Sequence, residues 1–199
     1  MLISKSQVTN ENRHLTEQEG LTNCYYLVAW FTHYGFATVN AACAIAGNAY
    51  HEIHCNPGGS EHHYEPPDMT LGYGIIQWTP ATKIFNYAAR VGKPVNDMDT
   101  QLEFIVWESQ NGHGYWPQPS YPIPESYQAF LASTLDVDYL SRAFTICAES
   151  RTASQASINE RAQWSQYIYD WCISDPPELV VNDAHRMKLI LQWMATKAR

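Results

Sequence analysis

Glu52, a glutamate among small apolar residues, is the residue of this sequence best suited to chemistry. Ile45, Ala49 and Glu52 are spaced four and three residues apart, so one helix face would carry small apolar side chains and this carboxylate. Burial and the negative end of a helix dipole both disfavour ionisation, and we expect them to raise the pKa of Glu52. A carboxylic acid still protonated near neutral pH can donate a proton to a glycosidic oxygen. The alternative from pattern alone is a solvated glutamate on a fraying helix end.

The same segment allows a second kind of chemistry. Residues 51–55 look like the zinc motif of metallopeptidases, with Cys55 where a second histidine would stand. His51 and Cys55 on one helix face could bind zinc, and a histidine at 62 or 63 could be a third ligand. However, Asn56-Pro57 ends the helix at this point, because proline disfavours helix in the residue before it. Ordinary surface histidines are the alternative, and we expect neither a metal nor another cofactor.

Helices on both sides of Glu52 are predicted from apolar spacing and capping residues. Thr38 or Asn40 would cap the helix that carries Glu52, and Thr79-Pro80 would open a later one. Thr100 with Glu103, and Ser157 with Glu160, have the spacing of capping boxes. The predicted helices cover about 21–34, 39–53, 80–92, 100–110, 126–134, 139–148 and 157–171.

Two segments rich in glycine and proline interrupt this pattern, at 55–74 and 111–124. Long loops inside compact domains are usually functional. Trp116 in the second loop could stack on a flat ligand or pin the loop to the core. The sequence therefore predicts a mainly α fold with a small irregular or β region at about 55–78.

Charge and composition exclude several classes of protein. The chain has 199 residues, 45% of them hydrophobic and 16% charged, which is typical of a globular domain. A formal charge of -8 argues against nucleic-acid binding, which needs a basic face for phosphates. No apolar run approaches the roughly 20 residues of a membrane span, and the N-terminal residues do not resemble a secretory signal. Five cysteines without a CxxC pair are expected to be buried or free thiols.

Three short motifs in order give the chain a family resemblance. They are Ala46-Gly47-Asn48 leading to Glu52, then Asn56-Pro57-Gly58, then Gly-Ile-Ile-Gln-Trp-Thr-Pro-Ala-Thr-Lys at 74–83. Together they resemble the phage tail-type lysozymes, which belong to the wider lysozyme and lytic transglycosylase group. The similarity extends over about 15–172 and is densest at 46–83. The sequence departs from the family pattern at Ile53, where a serine is usual, and at Cys55, His62 and His63.

The resemblance implies a lysozyme-like fold and roles for individual residues. It makes Glu52 the catalytic acid. Gly72 and Gly74 suit a sugar groove, because absent side chains let a backbone approach a ligand closely. The substrate-binding residues that it implies are Tyr73, Gly74, Ile75, Gln77 and Trp78. Apart from the resemblance, Trp116 could form the opposite wall of such a cleft, because aromatic faces stack on sugar rings.

Hydrolysis of a glycoside usually needs a second carboxylate, about 5 to 9.5 Å from the first. The loop at 55–74 supplies Glu61, Glu65 and Asp68. Asp68 is favoured because it lies between Pro67 and the glycines that should return to the groove, although each loop acid is individually more typical of a solvated charge. If none reaches the sugar, a single-acid transglycosylase using Glu52 becomes the better mechanism.

The resulting prediction is a glycoside hydrolase that cuts bacterial peptidoglycan between amino sugars, as a phage tail-associated or lysis enzyme. Its partners would be glycan strands and other phage tail proteins, without nucleic acid or membrane, in the virion or in the host cytoplasm before release. The domain division would be an N-terminal arm at 1–20, a lysozyme-like catalytic domain at 21–175 and a packed or docking C-terminal helix at 176–199. The alternatives are a lytic transglycosylase, a non-catalytic structural tail component and a zinc metallopeptidase at His51 and Cys55.

Overall fold

The computed structural model describes residues 2–4, 15–63, 67–112, 126–149 and 152–180, with only the backbone at 2–4, 63 and 178–180. Helices account for most of the described chain, which confirms the mainly α fold. They are α1 (Glu17–Tyr34), α2 (Val39–Ile53), α3 (Thr82–Val91), α4 (Met98–Asn111), α5 (Tyr127–Leu131), α6 (Val137–Phe144) and α7 (Gln155–Ser174). A π-helical turn at Thr145–Glu149 extends α6, and a 3-10 turn spans Glu61–His63.

The helix that carries Glu52 has the bounds that its sequence predicts. Thr38 caps α2, and its hydroxyl accepts a hydrogen bond from the amide of Ala41 at 3.2 Å. The preceding helix begins four residues earlier than predicted, at Glu17 rather than Leu21. A capping box explains the difference, since the amide of Glu19 donates to Thr16 Oγ1 at 3.3 Å and the Thr16 amide donates to Glu19 Oε2 at 2.8 Å.

Two predicted capping boxes are wrong, because in each case a residue three positions earlier caps the helix. Asp97 caps α4 and accepts from the amide of Thr100 at 3.2 Å. Ser154 caps α7 and accepts from the amide of Ser157 at 3.2 Å. Glu103, expected to close the first box, instead accepts a hydrogen bond from Lys93 at 2.5 Å. Asp97 and Thr100, like Ser154 and Ser157, are all favourable capping residues, so residue type alone does not separate the two positions.

The start of α3 also differs from the prediction. This helix begins at Thr82 and not at Pro80, and Ala81 precedes it without a side-chain cap. The Thr79 hydroxyl, expected to cap the helix, donates to the carbonyl of Gln77 at 3.1 Å. Its side chain therefore closes the turn before the helix. Gly92 ends α3 in the left-handed conformation, with a φ of 67°, as a C-terminal glycine commonly does.

The segments outside the helices include little β structure among the described residues. Strand β1 (Leu2–Ser4) pairs in parallel with β2 (Glu178–Val180), and Ser60 forms an isolated antiparallel bridge with Tyr73. The segment at 176–199 was predicted as a helix, but it begins as β2, after two prolines that favour extended backbone. The rest of that segment, residues 181–199, lies outside the described residues, and the division into arm, domain and tail stays a prediction. No described helix is both long and apolar enough to cross a bilayer.

Helix α2 occupies the centre of the fold and packs against α1, α6 and α7. Almost all of its side chains are buried, and most are small. Gly47 marks the closest approach, since a Cβ at this position would lie 2.3 Å from the backbone nitrogen of Ser165 and 2.5 Å from its Cα. The absence of a side chain at Gly47 therefore sets the distance between α2 and α7.

Asn48, the next residue, fills the remaining polar space between these helices. Its side-chain amide donates to the carbonyl of Ala44 at 2.8 Å and to Ser141 Oγ at 3.0 Å. Its side-chain oxygen accepts from Thr145 Oγ1 at 2.7 Å. Because Asn48 is fully buried, loss of one of these partners would leave a polar group unsatisfied. Gly47 and Asn48 together thus form the close contact between α2 and its neighbouring helices, called the packing joint below.

Replacing Gly47 with alanine tests this joint. On an exposed helix the change would stabilise by roughly 0.5–1 kcal/mol, because glycine is a poor helix former. Here the added methyl group would collide with the backbone of α7, and we expect a loss of about 3 kcal/mol in the free energy of unfolding. Equilibrium urea denaturation, with the m-value compared to confirm two-state behaviour, measures the change.

Gly92→Ala is the matched control. A Cβ at Gly92 has no described heavy atom within 4 Å, and its φ of 67° costs an alanine roughly 1 kcal/mol. We therefore expect a smaller loss than for Gly47→Ala. If both variants lose the same stability, close packing at Gly47 is not what separates α2 from α7.

Candidate functional site

Glu52 lies one residue before the end of α2, where the chain turns sharply. The next two residues after the helix, His54 and Cys55, have left-handed backbone with φ of 51° and 52°. Such angles cost a non-glycine residue of order 1–3 kcal/mol and persist only where surrounding contacts impose them. The Glu52 side chain is 23% exposed, so its carboxylate is largely buried and still reaches the surface.

Hydrogen bonds from α1 and its lead-in hold this turn. The side-chain amide of Asn23 donates to the backbone carbonyl of Cys55 at 3.0 Å, and His54 Nδ1 lies 2.7 Å from the carbonyl of Leu15. The His54 ring also stacks on Tyr50, with ring centroids 4.8 Å apart. The end of α2 is therefore fastened on both sides of the strained residues, which fixes the position of Glu52.

The guanidinium of Arg161, on α7, pairs with two carboxylates. Its Nη2 contacts Glu52 Oε1, and its Nη1 contacts Glu149 Oε2 at the end of the π-helical turn. The side chains of Arg161 and Glu149 are 7% and 3% exposed. Glu52 therefore lies beside a buried cation, as well as beside the small apolar residues that its spacing predicts.

The sequence did not identify Arg161 or Glu149 as site residues. They appeared there only within later segments of the family resemblance, and 109 residues separate Arg161 from Glu52. No local pattern encodes such a contact, because capping and helix-face rules act over three or four residues. The one available signal was chemical, since an arginine among apolar helix positions needs a buried acidic partner.

Burial and the charges within this group of side chains shift the pKa values of Glu149 and Arg161. Burial raises the pKa of Glu149 well above the usual 4.5, Arg161 opposes this shift and the charge of Glu52 adds to it. Burial acts against the charge of Arg161, but the carboxylates of Glu149 and Glu52 outweigh it and raise the pKa of the guanidinium. Glu149, and not a loop acid, is thus the carboxylate whose environment favours retention of a proton.

His51 belongs to the outer part of the same network. Its Nε2 lies 3.1 Å from Ser157 Oγ, and its Nδ1 lies 3.6 Å from the exposed Glu160 carboxylate. Burial lowers the pKa of His51, as does the charge of Arg161, while Glu52 and Glu160 act in the opposite direction. The imidazole is therefore predominantly neutral at pH 7 and can accept a hydrogen bond from Ser157.

The described residues do not favour the zinc interpretation. Because α2 ends at Ile53, Cys55 lies beyond the helix and does not share a face with His51. Cys55 is also completely buried. In the part of the chain whose side chains are described, no three histidine, cysteine or acidic residues are grouped as a metal site requires.

A tight turn at 72–78 is attached directly to the end of α2. Gly59 packs so closely on Ile53 that a Cβ there would lie 2.6 Å from the isoleucine side chain. The carbonyl of Gly59 accepts hydrogen bonds from the amide of Gly74 at 2.8 Å and from Gln77 Nε2 at 3.1 Å. Gly59 thus connects Ile53, the residue after Glu52, to the turn that the sequence predicted as a groove wall.

Gln101, on α4, holds this turn through hydrogen bonds, and the sequence did not predict it as a site residue. Its Oε1 accepts from the amide of Ile75 at 2.9 Å, and its Nε2 donates to the carbonyl of Pro57 at 2.7 Å. A Cβ at Gly74 would lie 2.7 Å from Gln101 Oε1, and the φ of Gly74 is 83°. This position therefore needs glycine for both space and backbone conformation.

The side chains predicted to bind sugar are mostly internal in this structure. Tyr73, Ile75 and Trp78 are 2%, 0% and 3% exposed, and the Trp78 indole donates to Glu108 at 3.0 Å. Gln77 is half-buried, and its amide nitrogen also donates to the carbonyl of Gly74 at 2.8 Å. These side chains shape the turn, so a role in binding sugar would belong chiefly to its backbone. Trp116 lies outside the described residues.

The loop acids form local contacts. Asp68 is exposed, and its Oδ1 accepts from the amide of Thr70 at 2.8 Å and from the Thr70 hydroxyl at 2.6 Å. These two hydrogen bonds lower the pKa of Asp68, and the one from the Thr70 hydroxyl has the larger effect. Glu61 Oε2 accepts from the amide of Gly72 at 3.0 Å, and Glu65 lies outside the described residues. None of the contacts described for Asp68 joins it to Glu52, so its role as a second carboxylate stays a prediction.

Comparison with known proteins gives two findings. The family model described as phage tail lysozyme matches residues 22–172, which include Glu52, Glu149 and Arg161. Morphogenesis protein 1 of Bacillus phage B103 is 37% identical over 102 residues, which are 51% of this chain and 27% of that protein. The aligned part of the chain thus spans about a quarter of the length of this phage relative. Because the family model covers most of the chain, from α1 to α7, the protein belongs to the phage tail lysozyme family.

Proposed function

We propose that this protein cleaves the glycan strands of bacterial peptidoglycan, with Glu52 as the acid that protonates the bond between amino sugars. The observation that carries the proposal is the Glu52 side chain, 23% exposed at a fastened helix end that is connected through Ile53 and Gly59 to the braced turn at 72–78. Family membership supports the choice of substrate class. The phage relative supports a setting among phage proteins, and we propose the virion tail or host lysis as the place of action.

The geometry around Glu52 meets the requirements of an acid catalyst. A side chain that is 23% exposed can contact a ligand while most of it remains out of water. The fixed turn at His54 and Cys55 limits its motion, which matters because catalysis depends on accurate placement of the reacting groups. After proton transfer the new carboxylate faces Arg161, whose positive charge stabilises it.

The turn at 72–78 would bind the sugar chain. Gly72 packs closely against Gln77 within the turn, Gly74 packs closely against Gln101 of α4, and internal hydrogen bonds hold the turn rigid. We propose that Gly74, Ile75 and Gln77 present backbone groups to the sugar, while buried Tyr73 and Trp78 hold the turn in shape. Trp116 would form the opposite wall of the cleft.

Two chemical routes remain for bond cleavage, and one observation separates them. A hydrolase of this kind would use Asp68 as its second carboxylate. A lytic transglycosylase needs Glu52 alone: as an acid it protonates the leaving oxygen, and as a base it removes the proton from the sugar hydroxyl that closes an anhydro ring. Both hydrogen bonds described for Asp68 Oδ1 go to Thr70 in its own loop, which favours the single-acid route.

A non-catalytic role is the candidate from a different class. The relative from phage B103 is named a morphogenesis protein, which favours a structural component that keeps the fold. Such a protein would not need the carboxylate of Glu52. Activity on cell walls therefore separates the two functions.

Replacing Glu52 with glutamine tests the enzymatic function. The change keeps the shape of the side chain but removes its acidic proton, and we expect clearing of wall-embedded gels to fall by about 10²–10⁴-fold. Glu17→Gln is the matched control, because Glu17 is exposed in the first turn of α1. This control should clear the gel like the wild type. No clearing by the wild type would support the structural role, and equal clearing by the Glu52 variant would remove Glu52 from the mechanism.

Product analysis of an Asp68→Asn variant tests the route. If Glu52 acts alone, this variant retains activity within about threefold of the wild type, because Asp68 is exposed and its contacts are local. Mass spectrometry of the released muropeptides should then show anhydro-sugar ends from both proteins. Reducing ends together with loss of activity in the variant would instead establish hydrolysis with Asp68 as the second carboxylate.

A further inference from the structure

We propose that Glu149 is a positioning residue that serves as the alternate counter-ion of Arg161, and that this lets Glu52 hold a proton. Its meaning for catalysis rests on the proposed function of Glu52, but the coupling among the three side chains can be measured without any activity. Glu149 would not touch the substrate. It would act on Glu52 through the guanidinium that both carboxylates contact.

The charges in this cluster do not balance when every group is ionised. One guanidinium faces two carboxylates, so the fully ionised cluster carries a net negative charge out of water. Burial makes an uncompensated charge costly, and one proton shared by the two carboxylates removes the imbalance. The cluster is therefore expected to hold a single proton over a wide range of pH.

The alternate counter-ion matters when Glu52 carries this proton. Arg161 is only 7% exposed, so a neutral Glu52 without a substitute would leave a buried cation unpaired. Glu149 contacts a different nitrogen of the same guanidinium and can supply the negative charge at that moment. When Glu52 is ionised, Glu149 can take the proton instead.

The contacts of Glu149 fit a group that changes its protonation state. Among the described residues its Oε1 has no hydrogen-bond partner, although the atom is buried. A permanently ionised carboxylate would be expected to have both oxygens satisfied. The π-helical turn that ends at Glu149 is also an uncommon element, often found at functional sites. Thr145 at its start donates to Asn48, four residues before Glu52 on α2.

Other titratable groups face the cluster from neighbouring elements. His51 on α2 and Glu160 on α7 lie on its outer side. Tyr127 on α5 and Glu108 on α4 are the other two. Burial is the main cause that raises the pKa of Tyr127, and the charges of Glu108 and Glu149 raise it further. His51 is the one histidine among these four groups, and an imidazole ordinarily changes its charge near neutral pH, so a His51→Gln background serves as a control.

Carboxyl titration by NMR of protein labelled at the glutamate side chains tests the proposal. In the wild type, the Glu52 and Glu149 signals should each show two inflections at shared pH values, as coupled groups do. In Glu149→Gln, Arg161 has Glu52 as its one acidic partner in the cluster. We therefore expect the titration of Glu52 to move to lower pH by about one unit or more, with or without His51→Gln.

Glu149→Asp is the matched variant, because it keeps the charge and shortens the side chain by one methylene. It should leave the Glu52 midpoint much closer to that of the wild type. Independent single-step titrations in the wild type, or an unchanged Glu52 midpoint in Glu149→Gln, would overturn the proposal. The wild-type measurement retains its force even if Glu149→Gln fails to fold.

Stability against pH gives a second readout without activity. A carboxyl whose folded pKa lies above its usual 4.5 holds its proton more tightly in the folded state. Folding therefore loses stability as pH rises from about 4.5 towards the folded value, and Glu149→Gln removes this loss. In urea titrations the variant should gain relative to the wild type as pH increases. A difference independent of pH would contradict the raised affinity of Glu149 for its proton.

The pH profile of wall cleavage connects the coupling to catalysis. The alkaline limb of kcat/KM reports deprotonation of the acid in the free enzyme, so Glu149→Gln should shift it to lower pH by the amount that NMR shows for Glu52. A shift of the NMR midpoint in a protein without wall activity would refute the proposed function and leave the coupling intact. An active enzyme whose alkaline limb does not follow the NMR midpoint would refute the coupling's role in catalysis.

Discussion

The pairing of one buried guanidinium with two carboxylates is the interaction on which the candidate site depends. Arg161 brings together the end of α2, the π-helical turn after α6 and the first half of α7. A buried arginine is tolerated only where its charge is compensated, so these elements must meet with close tolerance. The same requirement places Glu52 and fixes its electrostatic surroundings. Structure and chemistry at the site thus share a single cause.

Close packing of α2 against α7 makes this pairing possible. Gly47 lets the backbone of α7 approach, and Asn48 satisfies the polar groups that come with the approach. One turn later on the same helix, Glu52 meets Arg161, which precedes Ser165 by one turn of α7. The motif that marks the family in sequence is therefore a structural joint as well as a neighbour of the candidate acid.

The loop that follows Glu52 is organised by backbone hydrogen bonds more than by exposed side chains. Gly59, Gln77 and Gln101 link the end of α2, the turn at 72–78 and α4 into one rigid unit. This arrangement buries the aromatic side chains that were expected to stack on sugar. It leaves a turn whose backbone is held by hydrogen bonds and is connected to the end of α2 through the contact of Gly59 with Ile53.

The sequence by itself determined the features that depend on neighbours three or four residues apart. The bounds of α2, a cap at Thr38 or Asn40 and the place of Glu52 near the helix end follow from such local rules, and ordered motifs gave the family. Only the tertiary structure decided that Asp97 and Ser154, and not Thr100 and Ser157, cap their helices. It alone revealed Arg161, Glu149 and Gln101 as partners of the site. Their contacts join residues 12 to 109 positions apart, and such pairings arise from the packing of whole helices, which no local pattern encodes.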